Sequence, residues 1–118
     1  MIIAGFGFRA SVTLPSLRGL LGATQVDALA VVADKADHPA ILALSHEINK
    51  PLLCVPLDAL ASDRARTPAP HQPPRYGKTS VAEAAALAAA GPGSILIQSR
   101  ITAPDGTATM ALAQRKNS

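Results

Sequence analysis

Aromatic side chains are nearly missing from this chain, which has no Trp, one Tyr and two Phe. Proteins that bind single-stranded nucleic acid stack its bases on aromatic platforms, so that class is disfavoured. Charge is sparse as well: 11 Lys and Arg against 8 Asp and Glu give a formal +3, too mild for a protein whose affinity comes from neutralising phosphates. Cys54 is the single cysteine, which excludes a disulfide framework and a thiolate metal cluster and fits a reducing compartment. It lies in an apolar run next to Pro56 and reads as an inert core thiol. His38, His46 and His71 share no metal-ligand spacing with one another or with acidic residues, so neither a metal nor another cofactor is expected. No basic leader and no long apolar stretch follow Met1, and the expectation is a cytoplasmic protein with no membrane or nucleic-acid partner.

What is present is hydrophobic and regularly spaced. Of 118 residues, 48% are hydrophobic, enough to give a single domain over 1–118 a substantial core. Apolar runs alternate with helical patterns, which predicts an α/β fold: a three-layer α/β/α domain with a mixed sheet of about five strands. Strands are expected at 2–6, 28–33, 52–55, 94–98 and 107–113. Helices are expected at 14–21, capped by Thr13, at 39–48, capped by Asp37, and from Ser80 to a stop at Gly91. Ser80-Val81-Ala82-Glu83 reads as a capping box. The methyl-rich helix behind it predicts unusually close packing against a sheet. Residues 62–78 contain Pro68, Pro70, Pro73 and Pro74 with Arg64, Arg66 and Arg75, and read as an exposed extended loop that either serves as a lid or stays mobile.

Gly5-Phe6-Gly7-Phe8-Arg9 follows an apolar run and puts a glycine-freed backbone beside a guanidinium, the outline of an anion pocket. Two further turns precede helices, at 34–38 and 76–80. If the three meet beyond the carboxyl ends of the strands, Arg9, Lys35 and Lys78 bring positive charge to one mouth, and Phe8 and Tyr76 bring flat apolar surface. Arg9 as a solvated residue, and Lys35 paired with its neighbouring Asp residues, are the competing readings. Gly5-x-Gly7-x-x-Ala10 with Asp34 also matches a dinucleotide fingerprint, against which stand Arg9 inside the turn and the lack of a second nucleotide-binding half. Glu83 and His38 are the candidate acid–base groups, with helix capping as the alternative for Glu83 and a capping or surface role as the alternative for His38.

Four stretches carry a family resemblance: Gly5-Phe6-Gly7-Phe8-Arg9, Val32-Ala33-Asp34-Lys35-Ala36-Asp37, Thr79-Ser80-Val81-Ala82-Glu83-Ala84-Ala85-Ala86-Leu87, and Thr109-Met110-Ala111-Leu112-Ala113. Over nearly its full length the chain resembles the family of CobE and the CbiG C-terminal domain, from cobalamin (vitamin B12) biosynthesis. It departs from that pattern at Phe8, where Cys is usual, at His38, where an acidic residue is common, and at Ser99, near a frequent Lys. The resemblance implies a protein that binds a carboxylate-rich tetrapyrrole, a precorrin or hydrogenobyrinate-type intermediate, as carrier or accessory factor, with other enzymes of the pathway as further partners. The alternative it implies is a hydrolase or isomerase that opens a ring lactone, as in CbiG-like proteins. The residues expected at the ligand are Gly5, Gly7, Phe8, Arg9, Lys35, Asp37, Tyr76, Lys78, Thr79 and Ser80, with Glu83 and His38 as catalytic candidates.

Overall fold

The computed structural model describes residues 1–61 and 63–115; Ser62, where the proline-rich loop is expected to begin, and residues 116–118 lie outside the described residues. Five strands form one sheet: β1 (Ile2–Phe8), β2 (Ala28–Val32), β3 (Leu52–Val55), β4 (Ser94–Thr102) and β5 (Ala108–Arg115), in the order β3-β2-β1-β5-β4. β1, β2 and β3 run parallel through helical crossovers, whereas β5 returns antiparallel on the other side of β1 and pairs with β4 as a hairpin. The sheet is therefore mixed, with β1 in the centre.

The period of two along each strand sorts the core into two layers. Ala4 and Phe6 of β1, with Leu29, Met110 and Leu112, face α1 (Leu14–Leu21) and α2 (Pro39–Ile48), which contribute Leu17, Leu21, Ile41 and Leu44. Ile3, Ala28, Ala30 and Ala113 face the opposite way, onto Ala85, Ala86, Leu87 and Ala90 of α3 (Val81–Ala90). This is the α/β/α layering expected from the pattern. β1 continues to Phe8, and β4 and β5 reach Thr102 and Arg115, all beyond the ends expected from periodicity. Cys54 stands on the edge strand β3 and is exposed, not a core thiol.

Helix ends follow local chemistry. Thr13 accepts from the Ser16 N–H at 3.4 Å and Gly22 closes α1 at φ 57°. The cap of α2 is His38, not Asp37: Nδ1 of His38 accepts from Ala40 N–H at 3.1 Å. Pro39 at the first helical position has no N–H, so the first free donor is that of Ala40, within reach of the ring one residue beyond Asp37. Half of the expected capping box forms on α3. Ser80 Oγ accepts from Glu83 N–H at 3.3 Å, but the Ser80 N–H donates to Thr67 O at 2.7 Å, and the Glu83 side chain turns elsewhere.

The methyl-rich face of α3 lies on Gly5. A Cβ there would stand 2.2 Å from Ala82 O and 2.7 Å from Ala86 N, so Gly5 makes room for helix backbone and not for a ligand. By contrast, a Cβ at Gly19 in α1 meets nothing within 4 Å. Gly5→Ala is expected to destabilise the fold by about 3 kcal/mol through overpacking against backbone. Gly19→Ala is expected to stabilise it by up to about 1 kcal/mol, the helix-propensity difference. Urea unfolding of both variants checks this, and a Gly5→Ala protein as stable as the parent would refute the close packing.

Candidate ligand-binding site

Where β1 leaves the sheet, its last residues and the first of β5 form the floor of a cleft of about 410 Å³. Gly7, Phe8 and Arg9 come from β1 and the residue after it, and Thr107, Ala108 and Thr109 from the residue before β5 and its start. Ser80 and Val81 at the head of α3 make one wall, residues 68–73 with Tyr76 make the roof, and Arg100 of β4 closes one side. Gly7 keeps the floor low: a Cβ there would lie 2.7 Å from Val81 Cγ1 and 3.0 Å from Thr109 Oγ1. The location beyond the carboxyl end of β1, with parallel β2 on one side and antiparallel β5 on the other, is where open α/β sheets place ligands.

The roof is held by a buried carboxylate. Glu83, with none of its surface exposed, accepts four hydrogen bonds: from Arg66 N–H and Thr67 N–H on one oxygen (both 2.8 Å), and from Thr67 Oγ1 (2.6 Å) and Arg100 N–H (2.7 Å) on the other. Those donors saturate the lone pairs of an ionised carboxylate. The Arg100 N–H is available because β4 bulges. Gln98 pairs with Leu112 and Ile101 with Met110, three steps on β4 against two on β5, which takes Arg100 out of the ladder. Burial pushes the Glu83 carboxyl up, but the Thr67 hydroxyl and the N–H groups of Arg100, Thr67 and Arg66 outweigh it and hold the group below its ordinary range.

A second anchor ties the roof to the end of β2. The Tyr76 hydroxyl lies 2.9 and 3.0 Å from the two Asp34 oxygens, Arg75 Nε donates to Asp34 at 3.0 Å, and the Arg75 guanidinium sits 4.6 Å above the Tyr76 ring centre. Burial and then the Asp34 contact push the Tyr76 phenol up, so it stays a donor at neutral pH. Gln72 closes the turn from inside, its Nε2 donating to Gly77 O at 2.9 Å and Thr79 O at 2.6 Å. With both oxygens taken by Tyr76 and one also by Arg75, Asp34 is not the free ribose acceptor that a dinucleotide site needs.

The expected site residues separate into two groups. Gly7, Phe8, Arg9, Tyr76 and Ser80 line the cleft together. Gly5, Lys35, Asp37, Lys78, Thr79, His38 and Glu83 are not among its walls. Gly5 is under α3; Thr79 serves the roof through its carbonyl; Lys35 stands in a short 3-10 turn at Ala33–Lys35. His38 has both ring nitrogens engaged, Nδ1 with Ala40 N–H and Nε2 with Ala10 O at 2.8 Å, and its ring meets Phe8 edge-on at 5.2 Å. Arg64 does not reach over the cleft either. Its guanidinium donates to Ser94 O and Leu87 O at 3.2 Å, satisfying carbonyls near the far end of α3.

Arg100, Gln72 and Thr67 were not legible as site residues. A proline-rich stretch gives no period on which to place Gln72 and Thr67, and a bulge leaves no mark in strand periodicity that would single out Arg100. Among the described residues the guanidiniums of Arg9 and Arg100 have no protein hydrogen-bond or ion-pair partner, unlike Arg18, Arg64 and Arg75. The cleft thus joins apolar surface from Phe8, Val81 and prolines to two unneutralised cations. Among the described residues no group of three or more His, Cys, Asp or Glu stands ready for a metal ion, and no helix is long and apolar enough to cross a membrane.

These features define an α/β protein with a cleft, lined by Arg9 and Arg100, at the carboxyl end of its central strand. Residues 2–113 match the family model described as cobalamin synthesis G C-terminus, and the chain belongs to that family of cobalamin biosynthesis. The fold matches a crystal structure of CobE, a protein from the cobalamin (vitamin B12) biosynthetic pathway, with a TM-score of 0.83 and 28% identity over 100% of this chain and 92% of that one. It also matches the cobalamin biosynthesis protein chiG from Agrobacterium tumefaciens str. C58, with a TM-score of 0.76 and 29% identity over 99% of this chain and 100% of that one. No curated protein matches the chain at a significant level.

Loss of the Glu83 anchor has a defined signature. Because the folded carboxyl lies below its ordinary value of 4.5, its contribution is complete above that pH and is lost as pH falls through the lower folded value. Glu83→Gln is expected to lower stability by about 3 kcal/mol at neutral pH, since an amide N–H₂ would face N–H donors. The gap between parent and variant should narrow on acidification, and chemical unfolding at neutral pH and below pH 4.5 measures it. A gap that is constant with pH would show that the carboxylate charge is not what holds the roof.

Proposed function

We propose that this protein binds a carboxylate-rich tetrapyrrole intermediate of cobalamin biosynthesis in the cleft over β1, in the cytoplasm, and acts as its carrier or accessory factor. The observation that carries this reading is the unpaired Arg9 guanidinium set in a mostly apolar cleft, in a chain of this family. A precorrin-type ligand is a broad apolar macrocycle rimmed with acetate and propionate arms. Apolar walls take its ring surface, and a guanidinium takes a carboxylate through two parallel hydrogen bonds. At about 410 Å³ the cleft accommodates one edge of such a ring, leaving the remainder accessible for transfer to another enzyme of the pathway.

Carriage is favoured over ring hydrolysis because neither acid–base candidate is free to act. Glu83 has every lone pair occupied and lies outside the cleft walls, and His38 spends one nitrogen on a helix cap and the other on a carbonyl. A general base needs an acceptor within reach of the proton it removes.

The reading is tested by titrating the purified protein with metal-free, free-acid corrinoid intermediates and following the visible absorbance of the ring. A saturable spectral shift is expected, weakened about tenfold or more in Arg9→Ala, the loss that follows from removing a charge-assisted pair. Conversion of the ring by this chain alone, abolished in Glu83→Gln, would replace the carrier with an enzyme.

A further inference from the structure

We infer that Arg9 and Arg100 work as a pair, each taking a different carboxylate of the same ligand, so that the unit recognised is a ring edge carrying two carboxylate arms. This rests on the tetrapyrrole reading of the cleft and specifies which part of the ligand is read. Both side chains line the one cleft, and among the described residues neither guanidinium has a protein partner. Arg9 is exposed and Arg100 partly so, and guanidiniums with no protein partner beside a concave, partly apolar wall are free to pair with a carboxylate that enters it.

Sheet order sets the spacing of the pair. Arg9 follows β1, its N–H bonded to Thr107 O at 2.8 Å, and Arg100 belongs to β4, with β5 between them. Two strand spacings separate their backbones by about 10 Å across the sheet, and the registers add an offset of about 13 Å along the strands, because Arg9 lies beyond the Phe8–Ala108 pair whereas Arg100 lies between the Gln98–Leu112 and Ile101–Met110 pairs. That separation is too wide for both forks to share one carboxylate, and two side chains that line the same cleft from such different points can reach separate anions on one ring edge. Arg100 also points from the bulge that Glu83 fixes through the Arg100 N–H, so its place is set by the same carboxylate that holds the roof. Thr107, Ala108 and Thr109 lie between the cations and offer a flat floor for the ring that bears the arms.

Two porphyrins serve as probes: uroporphyrin, with an acetate and a propionate on every pyrrole, and coproporphyrin, with one propionate on each. The intact protein is expected to bind uroporphyrin about tenfold or more tightly than coproporphyrin. Arg9→Ala and Arg100→Ala should each weaken uroporphyrin about tenfold, the double variant should lose roughly the product, and Arg100→Ala should abolish the preference between the two rings. Neither side chain holds another part of the fold, and circular dichroism and melting temperature should match the parent. Uroporphyrin binding that falls in Arg9→Ala but is unchanged in Arg100→Ala overturns the pair and leaves the tetrapyrrole reading standing. A parent protein that binds neither porphyrin nor any free-acid corrinoid overturns both.

Discussion

The Glu83 carboxylate ties together three separate parts of the chain. It stands in the first turn of α3, takes two backbone N–H groups and a hydroxyl from the loop before that helix, and takes a fourth donor from the bulge of β4. A buried anion with its lone pairs filled is stable only as a complete set, because removing any donor leaves part of the charge desolvated without compensation. Loop, helix and strand are thereby fixed relative to one another. These three pieces stand over the cleft floor that β1 and β5 supply, so the shape of the cleft combines an electrostatic requirement above with close packing below.

The opposite edge of the roof uses different chemistry to the same end. Tyr76, Arg75 and Asp34 combine hydrogen bonds, an ion pair and a stacked guanidinium at a half-exposed position, where each contact alone would contribute little. Gln72 then replaces absent secondary structure by feeding one amide group to several carbonyls of the turn. Four prolines in this stretch restrict the unfolded loop, which lowers the entropy lost when it is pinned. Pinned at both ends, the roof presents a preformed surface.

Much of the architecture was legible in the residues themselves. The apolar run expected as a strand over 28–33 forms β2, which stops one residue short at Val32 where a 3-10 turn begins, and the leucines of α1 keep the helical period. The methyl-rich run of α3 also announced its close approach to the sheet, and Gly5 is the other half of that contact. The role of Gly5 was misread for a physical reason: a glycine that admits a helix and one that admits a ligand carry the same local signal, and only the partner across the gap distinguishes them. Glu83 was ambiguous in the same way. Its position three residues after Ser80 predicts a backward reach to the cap, yet four donors from remote segments outcompeted the single local one. Convergence of Arg9 with Arg100 depends on strand order and a bulge, neither of which a linear pattern encodes.

The intimate seat of α3 on β1 has a further implication for how this scaffold can diversify. With carbonyl and amide groups of the helix where a side chain of residue 5 would be, there is no slack into which a bulkier group at Ala82 or Ala86 can expand. The seat of α3, whose head forms one wall of the cleft, is therefore a fixed template. New ligand preferences have to be written on the opposing bank, at those positions of the proline-bearing segment and the β4 bulge whose side chains take no part in the buried Glu83 set.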